Sequence, residues 1–252
     1  MQVVVCVKQI PDPASPSSLD PATNRLVRPP EQVLDDTDRY GIEVGLQLGE
    51  KTGGSVTLVS MGPTGTMQGI RQALAMGADK AVIVDDDGLG GSDALTTAKV
   101  LAAAARREGF DVLVAGVEST DGYSGVVPQM VAELLGVPAL TFARKVELEG
   151  QGLRIERQTA GGFDVVDADP PAVLAVTAGA VEPRYPTFRG IMAAKSKPID
   201  RLTAADLGVG GNPGQEVVSV APAPERQAGE VVEDEGTGHL RIVEFLEGAK
   251  VI

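Results

Sequence analysis

The chain is short of nearly everything that supports self-contained chemistry. Its 252 residues include no tryptophan, three tyrosines, five phenylalanines, one cysteine and one histidine. A single cysteine excludes a disulfide framework, and one of each excludes a Cys/His zinc site. Triad hydrolysis would rest on His239 alone, in a Gly-rich acidic tail, where a surface role fits better than catalysis. So few rings argue against a flavoprotein that sandwiches its flavin unaided. Basic residues are scarce too. Lys plus Arg is 22 and Asp plus Glu is 35, a net charge of 22 − 35 = −13. Phosphate backbones need concentrated Lys and Arg, so no nucleic-acid partner is expected. No apolar run reaches membrane-spanning length, and the start, MQVVVCVKQI, lacks the cationic flank of a signal peptide. The expectation is a cytoplasmic protein without membrane insertion.

What is present is a rhythm. Short Val-rich runs at residues 3–7 (VVVCV), 55–60 (SVTLVS), 80–84 (KAVIV) and 111–116 (DVLVAG) read as strands buried on both faces. Helical patterns at 38–48, 66–76, 93–107 and 125–135 alternate with them, the last stopping at Gly136. The alternation predicts an α/β fold with a doubly wound, mainly parallel sheet. After Pro138 the rhythm breaks. Residues 139–148, 153–158, 163–166 and 172–177 read as strands joined by glycine turns, an added antiparallel region. Residues 182–189 (EPRYPTFR) read as a loop, 208–214 (GVGGNPG) and 222–226 as linker, and 240–252 as a short helix. The expected organisation is a nucleotide-binding domain over 1–207 and an extended C-terminal arm over 208–252.

Four segments could carry chemistry. The first runs from a predicted strand into a predicted helix: Gly116, Val117, Glu118, Ser119, Thr120, Asp121, Gly122, Tyr123, Ser124, Gly125, Val126 and Val127. Hydroxyls and glycine N–H groups at a helix N-terminus are the make-up of a phosphate site. From the residues alone an ordinary βα loop with a serine cap is the commoner reading of such a segment. Neither GxGxxG nor GxxxxGK[ST] occurs in the chain. The second, Asp35, Asp36, Thr37 and Asp38, fits acidic residues at a helix start, without the spacing of a calcium loop. Third, Cys6 sits mid-strand among valines, a buried small hydrophobe unless a cation such as Lys8 activates it. The fourth, YPTFRGIMAAKSK at 185–197, joins Tyr185, Phe188, Arg189, Ile191 and Met192 in a chain poor in such residues. It suits either a protein-contact point or a cover for the core.

Together VVVCVKQIPD, SMGP, IRQALAMGADKAV, VLVAGVESTDGYSGVVPQMVAELLGVP and EPRYPTFRGIMAAK resemble, in order, the β subunit of electron-transfer flavoprotein. The resemblance runs from Val3 to about Leu207, and ESTDG looks like the actinobacterial form of the loop. It implies a heterodimer with an α subunit that holds most of an FAD, whose site this chain would complete, and a structural AMP bound here. Cys6, the 35–38 segment, Met61 and the whole 116–127 loop match the family's cofactor-contact positions. Gly125, Val126 and Val127 stand where many members carry amide side chains, so contacts there fall to the backbone. Residues 185–194 match a partner-recognition loop with Phe188 as the inserted residue. The implied role is an electron carrier in fatty acid β-oxidation. It would pass electrons from acyl-CoA dehydrogenases to a quinone reductase without bond-making catalysis of its own. An electron-bifurcating member with a second FAD in place of AMP, and a stand-alone nucleotide-binding regulator, are the alternatives.

Overall fold

The computed structural model describes all residues except 64, 211, 212, 222, 223, 225–228 and 230. Part of the expected 208–214 linker and most of the 222–226 stretch therefore lie outside the described residues. The chain opens with β1 (Gln2–Cys6), whose valines Val3, Val4 and Val5 are all buried. Two small ladders follow that the sequence reading does not anticipate: β2 (Gln9–Ile10) with β5 (Val33–Leu34), and the hairpin β3 (Leu19–Asp20) with β4 (Arg25–Leu26). Then come α1 (Asp38–Thr52), β6 (Ser55–Met61), α2 (Gln68–Met76), β7 (Lys80–Val84), α3 (Ala94–Glu108), β8 (Val112–Gly116) and α4 (Val127–Leu135). Four strands without intervening helices follow: β9 (Ala139–Glu149), β10 (Gly152–Thr159), β11 (Gly162–Ala168) and β12 (Ala172–Val176). The chain continues through α5 (Phe188–Ala194), β13 (Ile199–Leu202) and α6 (Gly238–Gly248).

The main sheet has nine strands in the order β11-β10-β9-β12-β8-β1-β6-β7-β13. From β9 to β13 every neighbouring pair is parallel, and β10 and β11 add an antiparallel edge. Alternate side chains of a strand enter opposite layers. Val3 and Val5 accordingly pack with Ile42, Leu46, Ile70 and Leu74 of α1 and α2, while Val4 packs with Ala98, Leu101 and Val131 of α3 and α4. Helices cover both faces, as a doubly wound sheet requires. Gly45 sets how closely α1 approaches: a Cβ there would lie 2.7 Å from Cγ2 of Val5.

Two segments differ from their sequence reading. Residues 182–189 are not loop throughout, because Thr187 caps a helix that begins at Phe188 and takes in Arg189. Ile199–Leu202 adds a parallel strand beside β7, invisible beforehand because SKPIDRL carries only two apolar residues in seven. The chain divides into two compact units, Met1–Val218 and Ser219–Ile252. The second contains α6, whose Leu240, Ile242 and Phe245 are all exposed within that unit.

Candidate functional site

From β1 the chain steps outward to β6 and β7, then returns to place β8 on the other side of β1. That reversal opens a crevice at the carboxyl ends of β1 and β8, the usual position of a ligand in an open α/β sheet. A cavity of about 300 Å³ occupies it. Cys6 ends β1 and forms part of its floor, Met61 ends β6, and Asp38 opens α1. Gly116, Val117, Glu118, Ser119, Gly122, Ser124 and Val127 come from the loop after β8, so ten residues singled out in the sequence converge here. Lys8, noted in the sequence only as a cation near Cys6, also lines it, as do Ser92, Asp93 and Thr97, which were not singled out. The available signal was GSDALTT after the third strand, a turn followed by a helix cap on the same sheet edge. Asp93 is that cap, accepting a 2.7 Å bond from the Thr96 N–H.

The remaining residues hold the cavity rather than line it. Asp35 is fully buried; one carboxylate oxygen accepts from the N–H and hydroxyl of Thr37 (3.1 and 2.8 Å), the other from those of Thr120 (2.7 and 3.1 Å). It stitches the start of α1 to the loop after β8. Thr37 adds a 3.3 Å bond to the Glu118 carbonyl. Asp36 points outward to Arg39. Asp121 is buried between two cations, Lys8 Nζ at 2.7 Å and Arg28. Lys8 reaches Ser119 Oγ as well, at 3.2 Å. Tyr123 and Gly125 both take positive φ, which turns the loop into α4, and Val126 leads into that helix without a side-chain cap. Arg25 lies over Gly90 and Gly91, beside the Ser92–Asp93 wall, while Arg28 holds the Asp121 side.

Cations and carboxylates are interleaved at the loop. Burial pushes the Asp38 carboxyl well above its usual value, and Asp35 adds to the rise; the Lys8 N–H, 2.6 Å from Asp38 Oδ2, opposes it. Asp38 is thus biased toward its neutral, proton-donating form. Burial would raise Asp121 too, but Lys8 and Arg28 outweigh it and hold the carboxyl below its ordinary range. Lys8 and Arg28 place two cations on the one carboxylate of Asp121, while Asp35, Glu118 and Asp93 set further carboxylates around the same cavity. The Cys6 thiol is pushed up to about 12, by burial first and then by Asp38. A thiol so far from ionisation is no nucleophile, leaving Cys6 a structural role.

Thr37 lies not in this cavity but in a second one of about 480 Å³, with Glu118, Phe142, Gln158, Thr159 and Thr177. Phe142 is 40% exposed and has φ of 53°, unusual for an aromatic residue. It sits where the β9–β12 pairing shifts register.

Tyr185, Phe188, Ile191 and Met192 are brought together at a third place, on the segment entering α5 and on α5 itself, all exposed. Tyr185 and Phe188 are 82% and 81% exposed, so they do not cover the core. Arg189 is exposed beside them. No described helix is long and apolar enough to cross a membrane, and no cluster of metal-ligand residues occurs among the described residues.

The electron transfer flavoprotein domain matches residues 24–207. Over 99% of both chains, the protein is 43% identical to a Mycobacterium tuberculosis protein named electron transfer flavoprotein subunit beta. It is 34% identical over full length to a subunit of that name from Thermoanaerobacterium thermosaccharolyticum, and 33% identical to one from Megasphaera elsdenii over 97% of this chain and 96% of that one. The fold, the crevice at its strand reversal and these full-length likenesses agree: the chain belongs to the electron transfer flavoprotein family, among its beta subunits.

Proposed function

We propose that this chain pairs with an α subunit, holds one AMP in the β1/β8 cavity, and completes the rim of an FAD site. It carries electrons from acyl-CoA-type dehydrogenases toward a quinone reductase, in the cytoplasm, and makes or breaks no covalent bonds. The cavity is the observation that carries the reading. Ser119, Ser124, the Lys8 ammonium and the uncapped N-terminus of α4 converge on it, a donor set suited to a phosphate. A volume of about 300 Å³ lies at the small end of ligand pockets and fits a mononucleotide better than a dinucleotide flavin. Ser92, Asp93 and Thr97 remain for the nucleoside end.

The second cavity is the side on which we place the flavin. Thr37 lines it, and Phe142 supplies a ring from β9. The exposed Tyr185–Met192 patch is the docking surface, with Phe188 as its anchor. On this account residues 208–252 form the arm that packs on the α subunit. Co-expression with the α subunit tests the whole. A yellow heterodimer should form and be reduced by a dehydrogenase with its acyl-CoA substrate. A stable, flavin-free monomer that binds ATP more tightly than AMP would instead support a stand-alone regulator.

A further inference from the structure

The strongest polar network outside the nucleotide cavity lies behind the docking patch. Arg184 sends Nε to Glu43 Oε2 (2.7 Å), Nη2 to Glu43 Oε1 (3.1 Å) and Glu50 Oε2 (3.1 Å), and Nη1 to Glu50 Oε1 (2.5 Å). Its backbone N–H also donates to Glu43 Oε2, at 3.2 Å. One residue thus has both side chain and backbone fixed to α1, through a glutamate that is itself buried. Pro183 and Pro186 bracket it and remove further backbone freedom. At the far end of the segment, Arg71 of α2 donates to the Ala194 and Lys197 carbonyls (2.6 and 3.2 Å). Lys197 returns its ammonium to the carbonyls of Leu74, Gly77 and Ala78 at the end of α2. In the middle, Gly190 permits close approach to α2, since a Cβ there would lie 2.5 Å from the Ala75 carbonyl oxygen.

Every cation in this frame except Arg189 and Lys195 points inward, while Tyr185 and Phe188 point to solvent. Folding alone does not require two exposed aromatics on a segment fixed at both ends. A docking anchor does, because holding the bound conformation in advance removes the ordering cost at the moment of association. We propose that Arg184, clamped on Glu43 and Glu50, is a positioning residue that pre-sets Tyr185 and Phe188 for the apolar pocket of an electron-donating flavin dehydrogenase. The inference rests on the docking role proposed above. Arg is suited to the task because its rigid planar fork makes four side-chain bonds to two carboxylates, where a lysine offers three donors and no fixed plane.

The test uses the heterodimer with its α subunit in four forms: wild type, Arg184→Gln, Phe188→Ala and the double variant. Dehydrogenase-driven reduction is followed for KM and kcat, together with flavin per heterodimer and reduction by dithionite. Arg184→Gln should raise KM for the dehydrogenase roughly tenfold, the scale of two or three unfixed side chains. Flavin content, kcat and dithionite reduction should not change. The double variant should be no worse than Phe188→Ala, because Arg184 acts through the same anchor. Independent effects in the double variant, or parallel loss of flavin and dithionite reduction in Arg184→Gln, overturn the positioning role. Phe188→Ala with an unchanged KM removes the docking surface and the proposal with it. A raised KM in Phe188→Ala beside an unchanged one in Arg184→Gln removes only the proposal. Should Arg184→Gln fail to assemble, Glu50→Gln opens only the exposed half of the fork. It should raise KM about threefold, and an unchanged KM there counts against the clamp.

Discussion

Replacing Asp35 by alanine should open the nucleotide loop without touching a ligand. Asp35 is fully buried and both of its oxygens are spent on Thr37 and Thr120. The two hydroxyls can turn to other partners when the carboxylate goes. The two backbone N–H groups cannot, and each costs about 1–3 kcal/mol when left without an acceptor. The sum is about 2–6 kcal/mol, or roughly 4–24 °C of Tm for a unit of this size. Thr120 neighbours Ser119 in the cavity wall, so the same change should empty the site. Thermal unfolding of the chain and nucleotide content of the heterodimer measure the two effects. Hydrogen exchange at the Thr120 amide localises them. A variant that keeps its nucleotide and melts within about 1 °C of wild type would refute the stitching role.

Further outcomes follow from the same geometry. Asp38→Asn should stabilise the chain at neutral pH, since an amide still accepts from the Lys8 N–H and carries no buried charge. The sign follows from proton linkage: a carboxyl raised in the folded state binds more protons there than when unfolded, so wild-type stability falls as pH rises toward the folded pKa. Melting curves across pH should show that slope flattened in the variant; an unchanged slope contradicts it. Asp121 behaves oppositely. Its lowered carboxyl contributes stability present above about pH 4 and lost as pH falls through the folded pKa, and Asp121→Asn should remove that acid-side loss in the same titration. Gly125→Val places a β-branched residue at a φ of 63° with its Cβ 3.3 Å from Glu118 Oε2, so the purified heterodimer should retain little AMP. Phe142→Ala should loosen FAD while leaving AMP in place, as separate flavin and adenine counts would show.

The layered core was legible because valine runs and helical stripes alternate so regularly that only a parallel α/β sheet satisfies them. Much of the cavity was legible as well, since Gly116 to Val127 lies between a strand and a helix, where such folds bind ligands. What escaped detection came from residues distant in sequence. Nothing local marks Asp35 as the partner of Thr120, eighty-five positions away. Ser92 and Asp93 look like an ordinary helix cap until the sheet order brings them beside β1. Composition does not show where the basic residues at 184–197 point. Arg184 and Lys197 face inward, satisfied by glutamates and by helix carbonyls. Phe142 was read only as part of a strand, because a positive φ at a register shift leaves no trace in composition.

Counting the ligands in the purified heterodimer tests the central claim most directly. The complex is denatured, and the released adenine nucleotides and flavin are identified and quantified against protein. The account predicts one AMP and one FAD per heterodimer. Two FAD and no AMP would contradict it and assign the β1/β8 cavity to a second flavin.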